Sequence, residues 1–441
     1  MNSHADNGLD IQRESGHKIM NFLMEYMKIG KSFHADNRKL PELFVSIALG
    51  GAVSSSLLSI SASQILLFAT IVGAICFRKR IGKLLAPPIV WPLALFAVWT
   101  VIVCLASEDS VRNLLQMRKL FLYAILLLVP YLLRNSGKQF FRIYASIFVA
   151  SLISAMIGIV QFAANPKLDL LHRISGPMSH WMTYSGLLML AFIGLCAYAV
   201  CCSGKIPRWV YLSGLFLIAG MYLSQTRSSW LGSVAGVTTV FLLRRPRAIF
   251  SMAVLLGLFY LASPEVMKLR LRSAWDHSNS ENRSRIELLE TSLKLIKNNP
   301  WLGVGPENVS QEALRYRGTH EFEDWLYQHM HNNALQIAVE RGIPGLILWC
   351  WVMIRLEWDA FRVYRSTISI PSVYSSDNLK AALMVSTAAL GAWIGLLAAG
   401  MFEYNFGDSE VLILYLFIAA SPYAFYYSQT TQALEGKQNN G

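Results

Sequence analysis

Charged residues are scarce in this chain. Only 15% of its 441 residues are Asp, Glu, Lys or Arg, whereas 54% are hydrophobic. Soluble globular proteins carry about 25% charged residues, so the composition excludes an ordinary soluble protein. Apolar runs of about twenty residues, the length that crosses a bilayer as a helix, recur along the sequence. We therefore predict an all-α, polytopic membrane protein with about twelve transmembrane helices.

Cysteine and metal-ligand patterns are also sparse. None of the six cysteines forms a CxxC pair, which argues against a redox pair or a zinc ribbon. The HExxH motif of metalloproteases is missing, and so is DxD, the carboxylate pair that holds a metal with a sugar nucleotide. His329 and His331 are separated by one residue, so a helix would direct their imidazoles to different faces. We predict no metal and no other cofactor.

Twelve apolar segments are predicted to be transmembrane helices. They lie at 42–60, 62–77, 87–106, 116–133, 143–163, 181–202, 207–224, 229–243, 247–262, 344–361, 380–401 and 409–427. These segments divide the chain into a cytoplasmic tail (1–40), transmembrane helices 1–9 (41–262), a periplasmic catalytic loop (263–343), transmembrane helices 10–12 (344–427) and a second cytoplasmic tail (428–441).

The positions of Lys and Arg orient these helices. With the N-terminus inside, basic residues collect in alternate loops, as expected for loops on the cytoplasmic side. The groups at 78–83, 134–142, 205–208, 244–247 and 362–380 follow this alternation. They also account for the net charge of +12 without any nucleic-acid partner. The N-terminal tail lacks the apolar core and cleavage site of a signal peptide, so we expect it to stay in the cytoplasm.

The longest polar stretch keeps a helical pattern. Ile286, Leu289, Leu293 and Ile296 recur at helical spacing before an Asn-Asn-Pro sequence that would end the helix. We therefore expect 263–343 to be one large helical periplasmic loop, folded as a lid and not extended as a linker.

A polar helix is predicted just before the tenth apolar segment. It would run from Asn332 to Arg341, with Gly342 in the left-handed position that ends it. Pro344 cannot continue the helix, so the chain should bend there before it enters the membrane. His331 would then lie at the membrane surface, and the rigid bend at Gly342 and Pro344 would hold it there.

The same segment carries a sequence motif. His331-Asn332 is followed, after nine residues, by Gly342-x-x-Gly345. This string resembles the signature of the O-antigen ligase and O-antigen polymerase superfamily.

Two upstream segments are similar to the same superfamily. Arg285, together with PWLGVGPENV at 300–309, looks like its succession of an arginine, a helix, a proline and a GvG turn. SQTRSSW at 224–230, which contains Arg227, is similar to its arginine-bearing turn between two central spans. The three motifs follow the superfamily's order, whereas the N-terminal half of the chain matches only in hydropathy.

This resemblance implies a membrane glycosyltransferase of the bacterial inner membrane with its active site facing the periplasm. Such enzymes take a glycan from undecaprenyl pyrophosphate and transfer it with inversion, and are thought not to need a metal. In ligases the acceptor is a sugar hydroxyl of lipid A–core, and in polymerases it is the end of another lipid-linked glycan. We expect an O-antigen ligase-like enzyme of lipopolysaccharide biosynthesis, with an O-antigen polymerase as the alternative.

The resemblance also assigns roles to residues. His331 takes the place of the catalytic histidine, which suits a proton acceptor near neutral pH. Arg227 and Arg285 take the places of the arginines that bind pyrophosphate, and planar guanidinium groups match phosphate oxygens with paired donors. Asn332, Gly342 and Gly345 support the motif.

Other interpretations stay open for each of these residues and for the function. Arg227 could extend to lipid head groups, His331 could be an internal histidine of the lid, and Arg283 competes with Arg285 for the loop arginine. A flippase or another transporter of lipid-linked oligosaccharides would also be polytopic. Transporters usually carry ionisable residues deep within their spans, and here the centres of the predicted spans are nearly free of charge.

Overall fold

The computed structural model describes residues 40–81, 84, 86–202, 207–318 and 322–426. Within these residues all regular elements are helical and there is no strand. The two predicted cytoplasmic tails fall outside the described residues, apart from Leu40.

The described residues form seventeen α-helices and four short 3₁₀ helices. The α-helices are α1 (Leu40–Ser55), α2 (Ile60–Cys76), α3 (Arg78–Ile81), α4 (Val90–Ala106), α5 (Ser110–Gln116), α6 (Ile125–Leu132), α7 (Gly137–Ala164), α8 (Trp181–Cys202), α9 (Arg208–Leu223), α10 (Arg227–Arg244), α11 (Ala248–Ala262), α12 (Glu265–Arg272), α13 (Ser280–Asn298), α14 (Val309–Tyr316), α15 (Asn333–Ser369), α16 (Ser376–Gly400) and α17 (Ser409–Ala420). The 3₁₀ helices are Met117–Ala124, Asp324–Gln328, Pro371–Val373 and Asn405–Gly407.

Six helical segments of the described chain are long and apolar enough to cross a membrane. They are Ser110–Leu132, α7, α8, α15, α16 and Ser409–Tyr426. A seventh would be α11 with α12, if this pair, bent by 119°, is one span. The all-helical, polytopic architecture is thus confirmed. All twelve predicted spans overlie helices, but several, such as α1, α2, α4 and α9, are shorter than 18 residues. The count of twelve therefore stays a prediction.

The centre of the bundle depends on close contact between α10 and α16. A Cβ atom on Gly232 would lie 2.6 Å from the carbonyl oxygen of Gly395, and one on Gly236 would lie 2.7 Å from that of Gly391. Small residues four positions apart on both helices let the backbones approach, as in many membrane helix pairs. The pairing is antiparallel, so the start of α10 and the end of α16 lie at the same end of the bundle.

The polar stretch 263–331, called the lid below, folds around a small apolar core of its own. The buried residues of this core are Leu288, Leu295, Val309, Ala313, Leu326, Tyr327, Met330 and Val339, the last contributed by α15. The predicted lid helix is confirmed as α13.

The apolar residues at helical spacing on α13 do not form its buried face. Ile286, Leu289 and Leu293 are 44%, 43% and 55% exposed. The buried face lies beside them and includes Glu287, whose carboxylate accepts hydrogen bonds from the hydroxyl of Tyr327 at 3.1 Å and from the backbone N–H of Gly318. Apolar spacing alone missed this face because a buried, hydrogen-bonded carboxylate occupies its centre.

The predicted polar helix forms the first part of α15. The side-chain oxygen of Asn332 caps it by accepting a hydrogen bond of 3.0 Å from the N–H of Leu335. Gly342 breaks α15 with φ 68° and ψ −179°. The positive φ confirms the prediction for Gly342. Its ψ is not that of the left-handed helical region, however, because the chain passes directly into a second helical stretch. Only glycine adopts this combination readily.

The PWLGVG stretch at 300–305 packs against this break. The N–H of Val304 donates to the carbonyl of Val339 at 2.9 Å, and the N–H of Ile343 donates to the carbonyl of Pro300 at 2.8 Å. Carbonyl groups at the end of a helix have no partner within it, so the lid supplies partners at the break in α15. The lid and a membrane helix are therefore joined through their backbones.

Candidate functional site

A cavity of about 900 Å³ lies between the lid and the helical bundle. Its walls come from α4, the start of α8, α13, the first part of α15, and the segment between α16 and α17. The charged residues that line it are Lys119, Arg173, Glu281, Arg285, Glu307, Glu340, Arg341, Glu403 and Asp408. This is a polar chamber at the lid end of an otherwise apolar bundle.

His331 lines the cavity directly before α15. Its φ of 45° is one of three positive values among the non-glycine residues that the structure describes. The imidazole Nδ1 lies 3.6 Å from Oε2 of Glu403, close enough for an ion pair but longer than a hydrogen bond. His331 retains 18% of its side-chain exposure, so the imidazole reaches the cavity while Nδ1 is buried.

His329 lies beside His331, with their ring centroids 4.2 Å apart. The expectation that the two imidazoles point to different helical faces is wrong, because His329 has an extended backbone before α15 begins. Burial is the main reason that the pKa of His329 falls to about 4, with a smaller contribution from His331. His329 is therefore neutral at physiological pH.

The side chains of His329, His331 and Glu403 converge. One ligand atom from each lies within 4.8 Å of the other two. The Nδ1 atoms of both histidines and Oε2 of Glu403 are buried, and none has a hydrogen-bond partner among the described residues. Two imidazoles and a carboxylate are a set that zinc accepts, so these residues could hold a metal ion. The expectation of a metal-free enzyme stays a prediction.

Arg285 lines the cavity, whereas Arg283 is exposed on the outer face of α13. The guanidinium of Arg285 donates to the carbonyl oxygen of Phe402 and lies 5.5 Å from the centre of the Phe402 ring. Of these two arginines, Arg285 is the one that the structure brings together with His331.

Arg227 is the first residue of α10 and reaches into the lid. Its guanidinium donates to Ser273 Oγ at 3.1 Å, to Asn282 Oδ1 at 3.2 Å and to Glu281 Oε2 at 2.8 Å. Gln225, two residues earlier, has a φ of 54° and turns the chain toward these contacts. Arg227 does not itself line the cavity with His331 and Arg285.

The carboxylate of Glu281 is shared by three arginines. Besides Arg227, it accepts two hydrogen bonds from Arg270, at 2.7 and 3.0 Å, and one from Arg173 at 2.9 Å. Burial raises the pKa of Glu281, but Arg270 and then Arg173 outweigh it and bring the pKa down to about 2. Glu281 and Arg173 both line the cavity, whereas Arg227 and Arg270 do not, so one edge of this cluster forms part of the cavity wall.

Residues 212–350 match the family model described as O-antigen ligase. Over this stretch the chain is similar to O-antigen ligases. The matched stretch begins in α9 and ends within α15, so it includes Arg227, Arg285 and His331.

Two similar proteins carry the provisional name polysaccharide ligase. One, from Rickettsia conorii, is 22% identical over 271 residues, and the alignment covers 58% of this chain and 64% of the relative. The other, from Rickettsia felis, is 23% identical over 327 residues and covers 70% of this chain and 74% of the relative. The match to the first therefore spans slightly less than two thirds of that protein.

The glycine and asparagine positions of the superfamily motif have structural roles here. Asn332 caps α15 and donates from Nδ2 to the carbonyl of Met401 at 3.0 Å. Gly345 leaves room for the Trp99 ring, whose Nε1 donates to the carbonyl of Arg341 at 2.9 Å. With Gly342, these residues fix the bend in α15.

Sequence reasoning missed several residues of the cavity. Arg173 and His180 lie in the loop before α8, and Glu403 and Asp408 lie between α16 and α17. Burial raises the pKa of Asp408 to about 7, although Oδ2 accepts a hydrogen bond of 2.8 Å from Thr183. These four residues lie outside the three motifs, and their only signal in the sequence is that polar side chains interrupt long apolar stretches.

Proposed function

We propose that the protein transfers a glycan from undecaprenyl pyrophosphate to a sugar hydroxyl of lipid A–core at the periplasmic face of the bacterial inner membrane. The observation that carries this proposal is the cavity of about 900 Å³ that brings His331 and Arg285 together beneath the lid. Such a chamber has room for a pyrophosphate and the adjoining sugars, while the prenyl chain stays among the apolar helices.

Arg285 and Arg173 provide the donor site in this proposal. Cleavage of the bond to pyrophosphate leaves negative charge on the departing phosphate, which guanidinium groups stabilise with paired hydrogen bonds. Arg173 lines the cavity, and its buried Nε has no hydrogen-bond partner among the described residues. Arg227 can reach the same phosphate only if Glu281 moves, because the Glu281 carboxylate lies between Arg173, Arg227 and Arg270.

His331 activates the acceptor. A hydroxyl of the acceptor sugar attacks the anomeric carbon of the donor, and its proton passes to the imidazole. The new C–O bond forms as the bond from the anomeric carbon to the phosphate oxygen breaks, with its electron pair leaving on the pyrophosphate. Proton removal of this kind contributes about 10²–10⁴-fold to a rate.

A ligase is favoured over the polymerase alternative. Both relatives are named for ligation of polysaccharide. The experiment is deletion of the protein in its own bacterium, followed by analysis of surface and lipid-linked glycans. A ligase predicts loss of the surface polysaccharide while complete lipid-linked chains accumulate. Single repeat units on lipid A–core would instead establish a polymerase and contradict the ligase proposal.

A second experiment distinguishes a transferase from a flippase. Purified protein in detergent, given a lipid pyrophosphate-linked glycan and lipid A–core, should form a new glycosidic linkage and release the lipid pyrophosphate. A flippase would move the donor across vesicles without forming that linkage. Movement of the lipid with no ligated product would overturn the proposal.

A further inference from the structure

The three-residue segment Met401–Glu403 connects the residues of the motifs. It follows α16 directly, at the end of the bundle where α10 begins. Asn332 donates to the carbonyl of Met401 at 3.0 Å, and Arg285 donates to the carbonyl of Phe402. This segment lies outside the stretch 212–350 that matches the family.

Glu403 is the side chain of this segment that faces His331. It is 7% exposed. Its Oε1 accepts a hydrogen bond of 3.3 Å from the N–H of Tyr404. Its Oε2 lies 3.6 Å from Nδ1 of His331, and neither atom has a hydrogen-bond partner in the part of the chain that the structure describes. A buried carboxylate is costly unless it is paired, so a tighter contact with His331 would satisfy both groups.

The contact with Glu403 bears on the tautomer of His331. A carboxylate oxygen beside Nδ1 favours the imidazole tautomer with the proton on Nδ1, and this tautomer leaves Nε2 free to accept a proton.

The ring geometry agrees with this arrangement. Nδ1 of His331 is buried, so the 18% of the side chain that stays exposed lies on its other atoms, and the residue lines the cavity. The positive φ of 45° at His331 holds this orientation in a backbone conformation that non-glycine residues adopt infrequently. Strain of this kind persists only where the surrounding contacts enforce it.

We propose that Glu403 is the positioning residue for His331: it holds Nδ1–H of the imidazole so that Nε2 receives the acceptor proton. This inference rests on the proposed role of His331 as the base. Catalytic hydrogen bonds are often long in the absence of substrate, so we expect the 3.6 Å contact to shorten when the acceptor binds.

The test is a double-mutant cycle of Glu403→Gln and His331→Ala in the purified transfer assay. We expect Glu403→Gln to lower kcat roughly 10²-fold, within the range of a general-base contribution, with the donor KM changed less than about twofold. In the His331→Ala background, Glu403→Gln should have no further effect, because Glu403 acts only through His331. A structural role would instead give additive losses and would contradict the proposal.

Controls distinguish the remaining outcomes. Glu410→Gln changes a carboxylate that does not line the cavity and should leave kcat unchanged. Glu403→Asp keeps the charge but shortens the side chain, so it should fold and retain a kcat between those of wild type and Glu403→Gln. If Glu403→Asp and Glu403→Gln are fully active while His331→Ala is inactive, the positioning role of Glu403 is overturned. The proposed role of His331 as the base is then unaffected. Full activity of His331→Ala would remove the proposed base itself.

The metal alternative gives its own result. If His329, His331 and Glu403 hold an ion, the purified protein should contain about one zinc or similar ion per chain, by elemental analysis. Glu403→Gln should then lose that ion, and a chelator should abolish transfer until one metal is restored. That result would overturn the positioning role. Metal-free protein with full activity supports it.

Discussion

The backbone N–H of Gly305 donates a hydrogen bond of 3.0 Å to the carbonyl oxygen of Glu340. Gly305 belongs to the GVG turn of the lid, and Glu340 belongs to the last turn of α15 before its break at Gly342. Two motifs that lie 35 residues apart in the sequence are thus one structural unit. Their shared role is to place His331 and Arg285 on one cavity.

Replacement of Gly342 should damage this unit. A Cβ at this position would collide with the carbonyl oxygen of Trp301, and φ of 68° is strained for alanine. We expect Gly342→Ala to cost at least about 1–3 kcal/mol from the backbone alone, and to lower both membrane abundance and Tm in detergent. Gly257→Ala is the control, since its Cβ would meet no atom of the described chain within 4 Å. Equal Tm values for the two variants would contradict the conclusion that the GVG turn and the break in α15 form one structural unit.

His331→Ala should lose roughly 10²–10⁴-fold in transfer rate while donor binding and membrane abundance are retained, because the general base alone is removed. The matched control is His277→Ala, which changes an exposed histidine of the lid. The measurements are product formation and donor affinity with purified protein. Reduced abundance with normal specific activity would show that His331 serves the fold and not the reaction.

Replacement by lysine distinguishes which of two arginines of α13, Arg283 or Arg285, binds the donor. Arg285→Lys should raise the donor KM and lower kcat/KM about 10–100-fold, because a lysine cannot replace the planar pair of donors at a phosphate. Arg283→Lys should have no effect, since Arg283 is exposed away from the cavity. The opposite pattern, with Arg283→Lys impaired and Arg285→Lys normal, would assign the donor site to Arg283.

The Glu281 cluster predicts a pH dependence of stability. The pKa of Glu281 lies at about 2, below its ordinary value of 4.5. The unfolded chain therefore binds the proton first as the pH falls, so the contribution of Glu281 is complete above pH 4.5 and is lost toward pH 2. This contribution is at most on the order of 3 kcal/mol.

Thermal denaturation in detergent between pH 7 and pH 3 checks this dependence. Glu281→Gln should be less stable than wild type at pH 7, because it leaves buried guanidinium groups without their carboxylate. The two Tm curves should converge as the pH falls. Glu290→Gln, which changes an exposed carboxylate of the same helix, should follow wild type throughout. A gap between wild type and Glu281→Gln that stays constant with pH would contradict the cluster's role.

The predicted orientation can be tested with single cysteines at two exposed positions. Lys79→Cys should be labelled only from the cytoplasmic side, and Ser278→Cys in the lid only from the periplasmic side, because basic loops stay inside. A cysteine-free background removes the six native thiols. Labelling of both positions from the same side would invert or break the predicted topology.

Much of the helical architecture could be predicted from the sequence, because apolar segments of sufficient length form helices in a membrane. The bend at Gly342 was also predictable, since glycine followed by proline carries a local signal. The buried face of α13 was not, because its centre is Glu287, whose partners come from distant parts of the lid.

The candidate site was only partly predictable for a similar reason. His331 and Arg285 belong to motifs, and the structure places both on the cavity. Arg173, Glu281 and Glu403 reach the same chamber from three separate elements, and only the packing of those elements brings them together. The convergence of His329 with His331 was missed because it depends on extended backbone that a helical pattern does not describe.

The attachment between the lid and the break in α15 limits how a substrate can enter. Hydrogen bonds at Val304, Gly305 and Ile343 tie the lid down along one side through backbone atoms. Movement of that side away from α15 would have to break these three hydrogen bonds together. Trp325, 66% exposed on the cavity margin, marks another side of the lid. In the proposed transfer reaction, a long polysaccharide would therefore enter beneath the lid from another side, and the sugars beyond the first few would remain outside the cavity.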